Sequence, residues 1–316
     1  MEEYPKNLSE FNEQFPTEEA CRNYLMKLRW PDGVRCTRCG GERAWPVRKI
    51  WFECASCHYQ FSVTAGTIFQ DTRKPLQQWF RAIWYITSQK NGTSALGLQR
   101  VLGLGSYLTA WSWLHKIRRA MVHPGRDRLS GEIEVDEVYL GGPEEGLRGR
   151  LIEKKALIAI AVQKDGRGIG RIRMRHILDA TANSLQLFIV ASVEPKSTIH
   201  TDGWEGYNGL SELGYHHKMI VQSGKQKKAH ELMPGVHRVA SLLKRWILGT
   251  HQGSISNEHL EYYLDEFTFR FNRRTSQYRG KLFYRLLQQA VETWPKPYSV
   301  LNRMVRNGRN VRQTEG

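Results

Sequence analysis

Cys36-Thr-Arg-Cys39 and Cys54-Ala-Ser-Cys57 constrain this chain more than any other feature of it. Two C-x-x-C pairs with fourteen residues between them fit the spacing of a four-cysteine zinc site. Each pair forms a tight turn, so four thiolates can converge on one tetrahedral ion at ~2.3 Å. Such a site is closed, because protein fills every coordination position; its Zn2+ is structural and leaves no place for substrate. The competing readings are a pair of redox dithiols or four buried cysteines, and two matched pairs favour zinc over both. Trp45, Val47, Ile50, Trp51 and Phe52, between the pairs, suit two short strands. Upstream, Pro16-Thr17-Glu18-Glu19 signals the start of a helix running from Ala20 to Leu28. Cys21 reads as a buried helix residue, and His58 as a spare ligand beside Cys57. A metal site in place of a disulfide framework points to a reducing, cytosolic setting.

Charge narrows the partner. Across 316 residues, 47 Lys and Arg against 31 Asp and Glu leave a formal +16, which calls for a polyanion. The ends differ: residues 1–20 hold six Glu and one Lys, whereas residues 270–316 hold eleven Lys and Arg and two Glu. That asymmetry suits a chain with a defined nucleic-acid face. Hydrophobic residues at 40% with ten Trp supply enough apolar surface for a core. No apolar run approaches the ~18–20 residues of a membrane span, and the N-terminus has no secretory pattern. The expected location is therefore cytoplasmic, at the nucleoid.

From Lys74 to Val122 the pattern is helical. Leu76, Trp79, Phe80, Ile83, Trp84 and Ile86 give one apolar face. Asn91-Gly92 breaks it, and Thr93 is placed to cap a second helix through Leu102. After Gly103-Leu104-Gly105 a third helix starts at Ser106, with Leu108, Trp111, Leu114 and Ile117 inward. Lys116, Arg118 and Arg119 fall near its end. Three helices with a tight glycine turn are the plan of a helix-turn-helix; a small packing module has the same spacing, and the net charge favours DNA.

Beyond Ser130 an α/β pattern begins. Gly131 to Leu140 reads as a strand carrying Asp136, Ala156 to Val162 as a central strand, and Gly170 to Arg175 as a third with a cationic face. A helix over Asp179 to Val193, a short strand Ser197 to Asp202 and a helix near Trp204 to Leu213 complete a mixed sheet with helices. An acid inside a half-buried strand costs desolvation unless it is paired or binds a cation, whereas Asp202 before Gly203 also suits a turn or an N-cap. Two carboxylates sharing two Mg2+ or Mn2+ ions would suit phosphodiester chemistry. Two helices offer a third ligand. Val236 to Ile247 carries His237 and, two turns on, Lys244; Asn257 to Arg274 carries Glu266, one turn from Arg270. Spacing alone does not choose between them.

Taken together, the four cysteines, GEIEVDEVYLGG, HTDGWEGY, VHRVASLLKRWILGTHQGSI and HLEYYLDEFTFRFNRR resemble bacterial insertion-sequence transposases of the IS1595 type, over roughly residues 15–290. The resemblance implies a multidomain chain: an N-terminal helix and zinc ribbon over 1–72, a helical DNA-binding module over 73–125, an RNase H-like catalytic core over 126–290 and a basic tail over 291–316. It further implies DNA cutting and joining with two Mg2+ or Mn2+ ions, and Asp136 and Asp202 as the first two ligands. Transposases of this kind usually place the third ligand about 35 residues after the second Asp, with Lys or Arg seven residues later. His237 and Lys244 fit that spacing and rank above Glu266. DNA contacts then fall to Lys116, Arg118, Arg119, Lys244, Arg245, Arg270 and Arg273, with Lys225 to Lys228 as a further basic stretch. The partners implied are double-stranded DNA, as terminal inverted repeats and target, and a second copy of the chain, since joining two ends calls for a dimer or more. A non-catalytic zinc-dependent regulator and a nuclease without strand transfer are the alternatives.

Overall fold

The computed structural model describes residues 3–48, 50–122, 125–141, 155–220, 232–253 and 255–296. Lys225 to Lys228 and residues 297–316 lie outside them. The chain forms two compact units, one of residues 1–123 with 275–316 and one of 124–274.

The first unit begins with α1 (Leu8–Gln14) and α2 (Glu18–Arg29). Two of its acids, Glu10 and Glu18, accept backbone amides at helix starts. Asn7 Oδ1 accepts the Glu10 amide while Glu10 accepts the Lys6 amide, and Thr17 caps α2 through the Ala20 amide. Glu18 reaches further. Its two oxygens accept the amides of Leu76 and Gln77 at 2.9 and 3.1 Å, which start α3 (Leu76–Ser88), a helix preceded by Pro75 and lacking a cap of its own. The ribbon follows α2 as a three-stranded antiparallel sheet, β1 (Ala44–Arg48), β2 (Trp51–Cys54) and β3 (Gln60–Phe61).

Helices α4 (Ala95–Leu102) and α5 (Tyr107–Ala120) form the expected pair, joined through Gly103 at φ 61°, a left-handed value that glycine adopts without a Cβ penalty. The cap of α4 is Ser94, whose Oγ accepts the Gly97 amide. The buried stripe of α5 is Ala110, Trp113, Leu114 and Ile117, so Leu108 is 51% exposed instead of inward. Three cations given to DNA are used within this unit or lie partly inside it. Arg118 is buried at 2% exposure and cannot reach a phosphate. Arg119 donates to the Trp294 carbonyl at 3.2 Å. Burial lowers the Lys116 ammonium, against the pull of Asp71.

The last described helix is α9 (Arg279–Glu292). It packs on α2, α3 and α5, with Phe283 in an aromatic cluster formed by Phe11, Phe15, Phe80 and Trp84. The boundary expected at 290 falls inside this helix. The α/β unit ends at Arg274, and the helix after it completes the first unit's core.

The second unit is built on β4 (Glu132–Leu140), β5 (Ala156–Asp165), β6 (Gly168–Ile177), β7 (Thr198–Thr201) and β8 (His216–Met219), in the order β6-β5-β4-β7-β8. Strands β4, β5 and β6 are antiparallel neighbours, and β4–β7 and β7–β8 run parallel. That mixed order is the RNase H-like sheet. One face packs on α6 (Ala182–Ser192) through Ile133, Val135, Phe188 and Ile199. The other packs on α7 (Pro234–His251) and α8 (Leu260–Phe271) through Ile158, Ile160, Val236, Val239 and Leu264. The helix expected near Trp204 to Leu213 is a single 3-10 turn, Glu205–Tyr207. Gly209 at φ +85° and Gly214 at φ +85° break the run there.

Helix α8 carries a titrating acid. Burial pushes the Asp265 carboxyl up to about 7, Glu261 adds to this, and Arg126 opposes it. The folded chain therefore holds a proton that the unfolded chain releases, so stability falls as pH rises from 3.8, the ordinary value, to about 7. Asp265→Asn is expected to flatten that decline in thermal melts across the window. Parallel slopes for the two proteins would refute it.

Candidate active site

The ribbon cysteines converge. Cys36 and Cys57 sulfurs stand 3.7 Å apart and Cys39 and Cys54 sulfurs 3.6 Å apart. Tetrahedral ligands at ~2.3 Å from one ion are separated by about 3.8 Å, so the cluster has the size of a zinc cage. All four sulfurs lie within 4.8 Å of one another, the one such group of metal-binding side chains among the described residues. The amides of Arg38 and Ser56 point at the Cys36 and Cys54 sulfurs, each at 3.4 Å, as befits thiolates. This is a structural zinc site.

The acids gather elsewhere, on the α7 side of the large sheet. Alternation along β4 puts Glu132, Glu134 and Asp136 on one face. The parallel register pairs Glu132 with Thr198 and Glu134 with His200, and Asp202 directly follows Thr201, the last residue of β7. Asp202 also behaves as a turn former, since its Oδ1 accepts the Trp204 amide at 3.0 Å. His237, in the first turn of α7, places Nδ1 4.0 Å from Asp136 Oδ2. Its Nε2 is buried and has no hydrogen-bond partner among the described residues. Asp136 and His237 therefore meet on this side of the sheet, and among the described residues Asp136, Asp202 and His237 do not close to the 4.8 Å of the cysteine cage. Two cations ~3.5–4 Å apart need such a wider spread of ligands.

Beneath the acids lies Tyr207, which sequence reasoning passed over. Its hydroxyl donates to Glu137 Oε2 at 2.7 Å. Burial first, and then the charges of Glu137, Asp136 and Asp202, push its ionisation well up. The phenol stays neutral and adds no charge to the site. On the same strands Glu132 accepts from His200, which holds its carboxyl below the usual range.

Of the remaining candidates, Lys244 and Arg245 are exposed on α7. Glu266 is fully buried on α8 and takes both Nε and Nη2 of Arg270 on one oxygen at 2.8 Å. That pairing ties Arg270, expected to contact DNA, to Glu266 one turn earlier on the same helix. Helix α8 packs on edge strand β6, whereas Asp136 is on central β4. Arg273 lies over the Phe269 ring at 4.1 Å.

Comparison with known proteins agrees with the layout. Residues 128–272 match the ISXO2-like transposase domain and residues 16–60 the transposase zinc-ribbon domain. A protein in the transposable element ISH50 of Halobacterium salinarum is 27% identical over 278 residues, 81% of this chain and 91% of its own length. The simian T-cell lymphotropic virus intasome in complex with PP2A regulatory subunit B56 gamma is 15% identical, with TM-score 0.29 over 58% of this chain and 66% of that chain, just under two thirds of its length. The Mos1 strand transfer complex is 13% identical, with TM-score 0.27 over 71% of this chain and 78% of that one. Scores this low add nothing to the fold read from the strand order. With a transposase zinc ribbon ahead of an ISXO2-like transposase domain, the chain belongs to the IS1595-type transposases.

Proposed function

We propose that this transposase cleaves and joins the DNA ends of its element, with Asp136, Asp202 and His237 as the groups that hold two divalent cations. The observation that carries the reading is the meeting of Asp136 with His237 at 4.0 Å; Asp202, at the end of the parallel neighbour strand β7, is the second acid of this reading. Carboxylate oxygens suit a hard ion such as Mg2+ or Mn2+, and His237 Nε2 is buried without a hydrogen-bond partner among the described residues. When bound, two such ions activate a water or 3′-hydroxyl nucleophile and stabilise the leaving oxygen. The chain's own groups do the rest. Asp136 and Asp202 supply negative charge at fixed positions, Tyr207 stays neutral beneath them, and exposed Lys244 and Arg245 pair with backbone phosphates. Double-stranded DNA and a second copy of the chain are the partners this chemistry needs. No described helix is long and apolar enough to cross a membrane.

His237 and Glu266 make a decisive comparison. His237→Ala should slow cleavage of labelled element-end DNA roughly 10²-fold, the scale of a lost metal-site interaction, with little change in melting temperature. Glu266→Ala removes the fully buried acid that pairs with Arg270 and should cost roughly 3–5 kcal/mol of stability. Full activity in His237→Ala, or a stable but inactive Glu266→Ala, would reverse the two roles.

A further inference from the structure

Helix α7 starts without a cap of its own. Its N-cap residue, Met233, makes no side-chain bond, Pro234 occupies the first position and the first turn holds no acid. Such a terminus leaves amides unsatisfied, yet this one is buried: Gly235 and Val236 are both inaccessible. The missing acceptor comes from the sheet. Glu134, 1% exposed, extends from β4 and its Oε2 accepts the Val236 amide at 2.9 Å. Its other oxygen stands 3.6 Å from the Lys164 ammonium, so both ends of the buried carboxylate are answered. The fit depends on Gly235, where a Cβ would come within 2.8 Å of Glu134 Oε2 and 3.3 Å of Val162.

The neighbours of this bond are the candidate site. Glu134 is two residues from Asp136 on the same face of β4, and Val236 directly precedes His237. One hydrogen bond therefore ties the strand that carries the acid to the helix turn that carries the imidazole. We propose that Glu134 is a positioning residue, a carboxylate cap that joins β4 to the start of α7 and thereby sets His237 against Asp136; this rests on the assignment of His237 to the cation site. Negative charge at a helix N-terminus is favourable there in its own right. A cap supplied from within the helix could do that equally well, but it would not fix the helix to β4.

The test uses the full chain, with Mn2+ alone as the calorimetric probe and cleavage of element-end DNA as a second readout. Glu134→Leu fills the space without an acceptor, and Gly235→Ala pushes a Cβ into the carboxylate; each should weaken Mn2+ binding roughly 10–100-fold, as loss of an outer support does. Glu134→Gln retains an oxygen that can accept the Val236 amide, and should keep most of the affinity. Because Glu134 acts through His237, the Glu134→Leu, His237→Ala double variant should be no weaker than His237→Ala alone. Additive losses, or a Glu134→Leu protein that binds Mn2+ as the wild type does, would overturn the proposal. Should Glu134→Leu fail to fold, Gly235→Ala with and without His237→Ala provides the same cycle. A His237→Ala protein with wild-type affinity would instead overturn the cation-site reading, an outcome distinct from weak His237→Ala beside intact Glu134→Leu.

Discussion

Asp136→Asn should abolish DNA cleavage and joining while the protein stays folded. The change is isosteric, and the amide oxygen can still accept the Glu137 amide, as Asp136 Oδ1 does at 2.9 Å. The β4 backbone bonds, from Ile133 through Leu140 with β5, are untouched. What disappears is the formal charge beside His237, on the residue proposed to hold the cations with Asp202. Charge stabilisation by a bound metal contributes several kcal/mol to a transition state, so the rate should fall by roughly 10³-fold or more, at ~1.4 kcal/mol per decade. Melting temperature should hold or rise slightly, because Asp136 and Asp202 repel each other before a cation neutralises them. Labelled element-end DNA incubated with Mg2+ or Mn2+ reads the loss directly. A folded Asp136→Asn protein that cleaves at the wild-type rate would end the catalytic reading and leave a DNA-binding regulator.

What was legible in the sequence follows from how local each signal is. The zinc ligands announce themselves because two tight turns fix their geometry over a few residues. Asp136 shows through the two-residue alternation of its strand, and the same alternation carries Glu132 and Glu134, which the search for a metal ligand passed over. The caps at α3 and α7 were not legible. Glu18 and Leu76 are 58 residues apart and Glu134 and Val236 are 102 apart, and a helix start lacking Ser, Thr, Asp or Asn gives no hint of which distant acid will serve it. Charge was the most overread signal. Arg118 and Arg173 are buried cations, Arg173 donating to the Ile172 and Asp127 carbonyls, and Arg270 is paired with Glu266, so the +16 overstates the positive surface open to DNA. Helix α9 was expected in the catalytic core. Its Leu282, Phe283, Leu286 and Leu287 have helical spacing, but spacing alone does not say which unit an apolar face will join, and residues 275–316 group with the first unit.

Loss of zinc should unfold the ribbon and leave the α/β unit standing. The ribbon's own core is three buried residues, Cys36, Cys54 and Phe61, with Trp30, Val34, Ala44 and Phe52 packed around it, and two of the three are ligands. Segments below ~40 residues rarely bury enough apolar surface to fold without a metal or cross-link. Structural zinc supplies ~10–16 kcal/mol in small metal-dependent folds near neutral pH, more than this core can replace. Cys54→Ser is the cleaner probe, because a chelator would also strip the catalytic cations. The variant should retain no stoichiometric zinc by metal analysis and should lose the near-UV signal of Trp30, Trp45 and Trp51. Mn2+ binding should persist, since Asp136, Asp202 and His237 all lie within residues 124–274. Cleavage of element-end DNA should fall through weaker DNA binding, and raising the DNA concentration should recover part of it. A Cys54→Ser protein with an unchanged near-UV spectrum would mean that the aromatic packing holds the ribbon and that the four cysteines are dispensable to its fold.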